Sequence, residues 1–139
     1  MSRKIPSLRS ALGRARGLGS AKHGVEHWWA QRMTAIALIP LSIYGVADFF
    51  NNVVGGGYAD AVVWLHSPFA AVLVILFILV AFHHAASGVQ VVIEDYVHCE
   101  AVKLASIIAV KFLASAFALL GTIAVIKILF SVSGALPHV

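Results

Sequence analysis

Charge is scarce in this chain. Only 12% of its 139 residues are Asp, Glu, Lys or Arg, roughly half of what a soluble domain usually carries. Acidic residues number six, and none precedes Glu26. Cysteine occurs once, as Cys99, which excludes an internal disulfide, and the lack of C-x-x-C-H argues against a covalently attached c-type haem. Sequence repeats and low-complexity tracts are also missing. What fills the chain is apolar: 60% of the residues are hydrophobic and the mean hydropathy is +0.92. Such a composition belongs to an integral membrane protein. The net charge of +4 and pI near 9.6 do not point to nucleic acid, because seven of the ten Lys and Arg residues lie before Met33. Basic residues crowded on one flank of apolar segments are a topology signal.

Three long apolar segments define an all-α fold, an integral membrane bundle of three transmembrane helices at about residues 28–50, 67–93 and 103–130. Each exceeds the ~20 residues that cross ~30 Å of hydrocarbon. Pro40 lies inside the first, where membrane helices tolerate a kink. Ser67-Pro68 reads as an N-cap followed by proline at the first helical position of the second. Residues 51–66 form a loop that contains Gly55, Gly56 and Gly57, and a polar link at residues 94–100 joins the second and third segments. Residues 1–27 form a basic arm and residues 132–139 a short tail. The arm has no apolar core of a secretory signal; its Arg-rich, acid-poor character fits either an organelle transit peptide or an arm lying on anionic lipid or a partner.

The arm is strongly basic, the first loop has no Lys or Arg, and Lys103 adjoins the second link. The positive-inside rule therefore puts the N-terminus and the link on the cytoplasmic or matrix side. A bacterial inner membrane is the expected location, a mitochondrial inner membrane the alternative. Lys127 can snorkel to the far surface. Lys111 lies deeper, with no evident partner in the chain, and is expected to reach the inner surface or a partner subunit.

The most informative stretch runs His84-Ala-Ala-Ser-Gly88-Val-Gln-Val-Val-Ile-Glu-Asp95-Tyr96. Eleven residues separate His84 from Asp95, which is about 1100° of helix, or about 20° past three full turns. A continuous helix therefore puts His84, Gly88 and Asp95 on one stripe, with the His deep and Asp95-Tyr96 near the surface. A His in hydrocarbon is paired, lines a wet cavity or binds something. Two readings stand for His84: an axial ligand to haem iron, with Gly88 leaving room for a flat macrocycle, or a side chain hydrogen-bonded to a neighbouring helix. His83 competes from about 100° round the helix, but its one-turn neighbour is Ser87 and it lies off the stripe. No other His is deep, since His23, His27, His66, His98 and His138 all flank the segments. A bis-His haem would then take its second ligand from another chain.

Tyr96 can donate a hydrogen bond to a quinone carbonyl, and Asp95 can orient it or assist proton uptake; the alternative is an ordinary interfacial Tyr beside a solvated Asp. Arg32 suits a haem propionate or a flanking topology charge. Trp28 and Trp29 fit an interfacial belt, Cys99 an unreactive thiol, and Phe77, Phe82, Phe112 and Phe117 packing or lipid contacts.

Together these residues resemble a family. The H-x-x-x-G-x-x-x-x-x-x-D-Y pattern of residues 84–96, the Arg32-Met-Thr34-Ala35 opening of the first helix (R-x-T-A) and the three-helix plan with a basic arm are similar to the small hydrophobic membrane anchor of succinate dehydrogenase, respiratory complex II. The run Gly17-Leu-Gly-Ser-Ala-Lys-His-Gly-Val-Glu-His-Trp-Trp-Ala-Gln-Arg-Met-Thr-Ala35 looks most like the alphaproteobacterial branch. The R-H-x-x-x-D run of the larger anchor is absent. The resemblance implies that His84 is one axial ligand of haem b, the other coming from the larger cytochrome b anchor subunit. It implies that Tyr96 binds the ubiquinone head group with Asp95 in support, and that Arg32 lies near the propionates and the quinone pocket. It carries no role for Glu26 or His27. FAD and the iron–sulfur clusters would reside in partner subunits, a flavoprotein and an iron–sulfur protein, and the arm and the link would dock the latter. The chain itself would oxidise no succinate. Two other expectations are a fumarate reductase anchor using menaquinol and, from a different class, a small transporter or assembly protein with a His84–Asp95 proton relay.

Overall fold

The computed structural model describes residue 12 and residues 22–131, with side chains from residue 25 onward in the latter stretch. Most of the basic arm and the 132–139 tail lie outside the described residues. Four helices are present among them: α1 (Lys22–Asn52), α2 (Gly57–Leu65), α3 (Pro68–Tyr96) and α4 (Glu100–Leu129), with no strand. Three stretches are long and apolar enough to cross a membrane: Val25–Asn52, Pro68–Tyr96 and Glu100–Leu129, of 28, 29 and 30 residues. At 1.5 Å per residue each is about 42–45 Å long, more than the ~30 Å hydrocarbon layer, so helix ends reach the polar interface or the helices tilt.

Each long helix is longer than the apolar segment expected from the sequence. α1 starts upstream of Trp28, because the polar residues before it continue the helix into the interface. α1 also runs unbroken through Pro40, whose missing N–H leaves the Ile36 carbonyl without its usual donor. α3 starts where Ser67-Pro68 indicates, but Ser67 makes no side-chain capping bond. The first-turn bond there is backbone, Ala71 N–H to the Ser67 carbonyl at 3.0 Å. The expected link at residues 94–100 shrinks to residues 97–99, because α3 continues through Tyr96 and α4 opens on Glu100. Gln90 Nε2 donates to Glu94 Oε1 at 2.7 Å, one turn apart, and supports that last stretch.

The expected 51–66 loop contains α2. Gly55 and Gly57 adopt φ of +103° and +76°, which side-chain-bearing residues rarely do, and so reverse the chain into this helix. Trp64 Nε1 then donates to Asp48 Oδ2 at 2.6 Å, and Asn52 Nδ2 donates to Asp48 Oδ1 at 2.8 Å. Asp48 is thereby the polar pin that holds α2 to the end of α1. Phe49 adds an edge-to-face contact with Trp64 at 6.2 Å.

The long helices form a row. α3 packs against α1 on one side and α4 on the other, and α1 does not approach α4. Small residues allow the close contacts: Ala70, Ala71, Ser87 and Ala118 are buried, as at membrane helix interfaces generally. A Cβ on Gly121 would lie 3.3 Å from Ile78 Cδ1, a tight contact that Ile78 would have to shift by a few tenths of an ångström to admit. Phe82 stacks on Phe117 across the same seam, and Tyr44 meets Phe69 edge-on across the α1–α3 seam. No large side chain is fully buried among the described residues.

Candidate functional site

α1 and α3 run antiparallel, so the start of α1, the end of α3 and the start of α4 share one end of the row. Tyr96 marks that end and is 78% exposed. Asp95 is exposed beside it, and neither side chain makes a hydrogen bond among the described residues. His84 lies twelve residues back on the same unbroken helix, about 18 Å deeper along the axis. The 84–96 stripe is therefore carried by one continuous element.

His84 is half-buried against α1. Its Nδ1 is 3.0 Å from Thr34 Oγ1. Thr34 in turn donates to main-chain carbonyls of its own helix, at 2.8 Å from the Ala30 oxygen and 3.0 Å from that of Gln31. The Nε2 side of the ring has no hydrogen-bond partner among the described residues. One turn on, a Cβ at Gly88 would meet no atom within 4 Å. The neighbouring ring, His83, belongs to the other seam. It is exposed and lines a cleft of about 760 Å³ between α3 and α4 with Ser87, Lys111, Ser115 and Thr122. The two adjacent histidines thus serve different faces of α3. Lys111 forms no ion pair among the described residues, whereas Lys103 pairs with Glu100 at 2.9 Å.

Arg32 is not brought to Asp95; no ion pair joins them among the described residues. Its guanidinium carbon sits 5.1 Å from the centre of the Trp28 ring, a cation–π contact. Arg32 precedes Thr34 by two positions, about 200° round the helix, and is exposed on a different face of α1 from the one that meets His84. His27 is seven positions before Thr34, about 20° off its face, and its Nε2 is enclosed without a partner. Among the described residues no three or more His, Cys, Asp or Glu side chains come together to hold a bare metal ion. An apolar cavity of about 310 Å³ lies in the other half of the row, bordered by Tyr44, Asp48, Trp64 and Phe77.

Two features of this site escape a reading of the sequence. Thr34 was visible as part of R-x-T-A, but its partner is 50 residues away. The Asp48–Trp64–Asn52 cluster was hidden because α2 was not foreseen; an acidic residue at the end of an apolar segment was its one signal.

A model of the succinate dehydrogenase/fumarate reductase transmembrane subunit family matches residues 6–133. The chain belongs to this family. Its relatives include the succinate dehydrogenase hydrophobic membrane anchor subunit of Rickettsia bellii, 33% identical over 88% of this chain and 94% of the relative. The hydrophobic membrane anchor subunit of Paracoccus denitrificans is 34% identical over 70% of this chain and 75% of its own length. The membrane anchor subunit of Reclinomonas americana is 32% identical over 67% and 79%. The expected anchor family and its alphaproteobacterial character are both met. The chain is accordingly a multi-pass membrane anchor that works among other subunits of an oxidoreductase complex.

Proposed function

We propose that this chain anchors succinate:ubiquinone oxidoreductase in the bacterial inner membrane, provides one axial ligand to haem b, and forms part of the quinone-reduction site. The observation that carries the reading is the layout of α3. An imidazole with one free ring nitrogen, an open glycine face one turn later and a free Asp-Tyr pair follow one another along a single helix. These residues fit the cofactor: a flat macrocycle needs the space at Gly88, and a b-type iron needs a neutral imidazole nitrogen such as His84 Nε2. Among the described residues no second deep ring shares that face, so the other ligand comes from the larger anchor subunit. When bound, the haem would supply a one-electron store.

The chain's own residues then act on the quinone. Tyr96, exposed at the helix end, donates its hydroxyl to a carbonyl oxygen of the ubiquinone head group. Asp95, open to water, orients that hydroxyl and relays a proton from solvent. Two electrons arrive from iron–sulfur centres in a partner subunit, two protons are taken up at the carbonyl oxygens, and quinol leaves into the bilayer. A flavoprotein partner holds the FAD that oxidises succinate. Arg32 and Trp28 face outward from α1 and are available to propionates, to the quinone pocket or to the iron–sulfur partner; the basic arm adds charge at the same end.

The family also contains fumarate reductase anchors, so a menaquinol-driven reaction in the reverse direction is the second reading. The relatives described above are succinate dehydrogenase anchors, which favours the first. A proton relay from His84 to Asp95 gains no support, because no hydrogen bond among the described residues links the two side chains. Purification from the native membrane in mild detergent tests the proposal. A flavoprotein and an iron–sulfur protein should co-purify with a low-spin b-type haem spectrum, and succinate should reduce ubiquinone faster than menaquinol reduces fumarate. A homo-oligomer lacking both haem and flavoprotein refutes it.

A further inference from the structure

We infer that Thr34 is a positioning residue for His84, holding the ring as the Nδ1–H tautomer and presenting the Nε2 lone pair to the cofactor side; this rests on the haem reading above. A threonine hydroxyl has one proton and two lone pairs. The Ala30 and Gln31 carbonyls, 2.8 and 3.0 Å from Oγ1, can only accept. They take the hydroxyl proton, so the oxygen faces His84 as an acceptor. The nitrogen 3.0 Å away must then be the donor. The opposite tautomer would draw the Thr34 proton off both carbonyls and leave an Nε2–H with no acceptor, a costly arrangement where water is absent.

The same bond fixes the ring's rotation. Anchored at Cβ and at Nδ1, the imidazole has one plane available, and Nε2 lies on the far side of the ring from Thr34. An acceptor at Nδ1–H also raises the basicity of the opposite nitrogen, and loss of such a partner typically weakens ligation about 10–100-fold. Threonine meets these demands with a hydroxyl already committed to its own helix. It therefore acts as an acceptor of fixed direction.

The test uses the purified complex carrying Thr34→Val, Thr34→Ala or Thr34→Ser. Haem-to-flavin ratio, the low-field EPR line of the oxidised haem and its midpoint potential are recorded. In Thr34→Val and Thr34→Ala the haem should be retained about 10–100-fold less tightly, with a shifted EPR line and a raised potential. Thr34→Ser, which keeps the hydroxyl, should restore all three. Wild-type haem content, EPR line and potential in either Thr34→Val or Thr34→Ala overturn the inference while leaving the haem reading intact. If Thr34→Val does not assemble, Thr34→Ala decides, and an assembled Thr34→Ala complex with a wild-type spectrum is the refuting result. A wild-type complex with no haem overturns the haem reading and this inference with it.

Discussion

Replacing Gly88 with leucine separates the needs of a cofactor from the needs of the helix. Within the chain, a Cβ at Gly88 meets nothing within 4 Å. Removing a helical glycine should by itself stabilise α3 by about 0.5–1 kcal/mol. The chain alone therefore predicts a neutral or mildly stabilising change. If a macrocycle lies against this face, the added side chain overpacks the pocket, at a cost of about 1–3 kcal/mol, or roughly a five- to hundredfold loss of haem affinity. Gly121 is the control, because there a Cβ would already sit 3.3 Å from Ile78. Gly121→Leu should loosen the α3–α4 seam and lower thermal stability while leaving the chemistry at His84 alone. The assay is haem-to-flavin ratio and melting temperature of each purified complex. Opposite signatures are expected: haem lost with stability kept for Gly88→Leu, and stability lost with residual complex haem-replete for Gly121→Leu. A Gly88→Leu complex with full haem and an unaltered spectrum would refute the assignment of this face to the cofactor.

Three further outcomes are expected. His84→Ala should abolish or strongly perturb the b-type absorbance, whereas His83→Ala, changing a residue of the α3–α4 cleft, should leave it intact; the reverse pattern would assign the wrong ring. Tyr96→Phe removes one hydrogen bond worth about 0.5–1.5 kcal/mol and should cut quinone reductase turnover about two- to tenfold, with succinate oxidation by an artificial electron acceptor unchanged. Asp48→Ala deletes the acceptor for Trp64 and one of the two acceptors of the Asn52 side chain, the main-chain carbonyl remaining, at a cost of about 1–3 kcal/mol; limited proteolysis at the Gly55–Gly57 turn should speed up, with the haem spectrum retained.

The apolar runs made the three long helices legible, because spanning length and hydropathy do not depend on tertiary context. Their ends were not legible in the same way. Polarity at residues 22–27 and 94–96 looks like loop, yet a helix entering the interface keeps its hydrogen bonds while its side chains meet water. α2 was illegible for a different reason: nine residues after a glycine cluster give too little periodicity to read, and the helix is held by Trp64 reaching back to Asp48. The 84–96 stripe was readable from spacing alone, since a single uninterrupted helix carries it. Its partner on α1 was not, because Thr34 and His84 are joined by inter-helix register, which hydropathy does not encode. The same register turns Arg32 away from Asp95, although both lie toward the same end.

A row of three helices whose outer members never meet has little interior of its own beyond a few small side chains in its seams. The usual ordering of tolerance should therefore invert. Outward apolar side chains such as Ile36, Ile39, Val92 and Phe112 belong to contacts with lipid or with other subunits, and disease-like or loss-of-function substitutions should gather there. A copy synthesised in excess of its partners would expose two flanks at once and invite membrane proteases. The abundance of this subunit would then be governed by the supply of the chains that cover it.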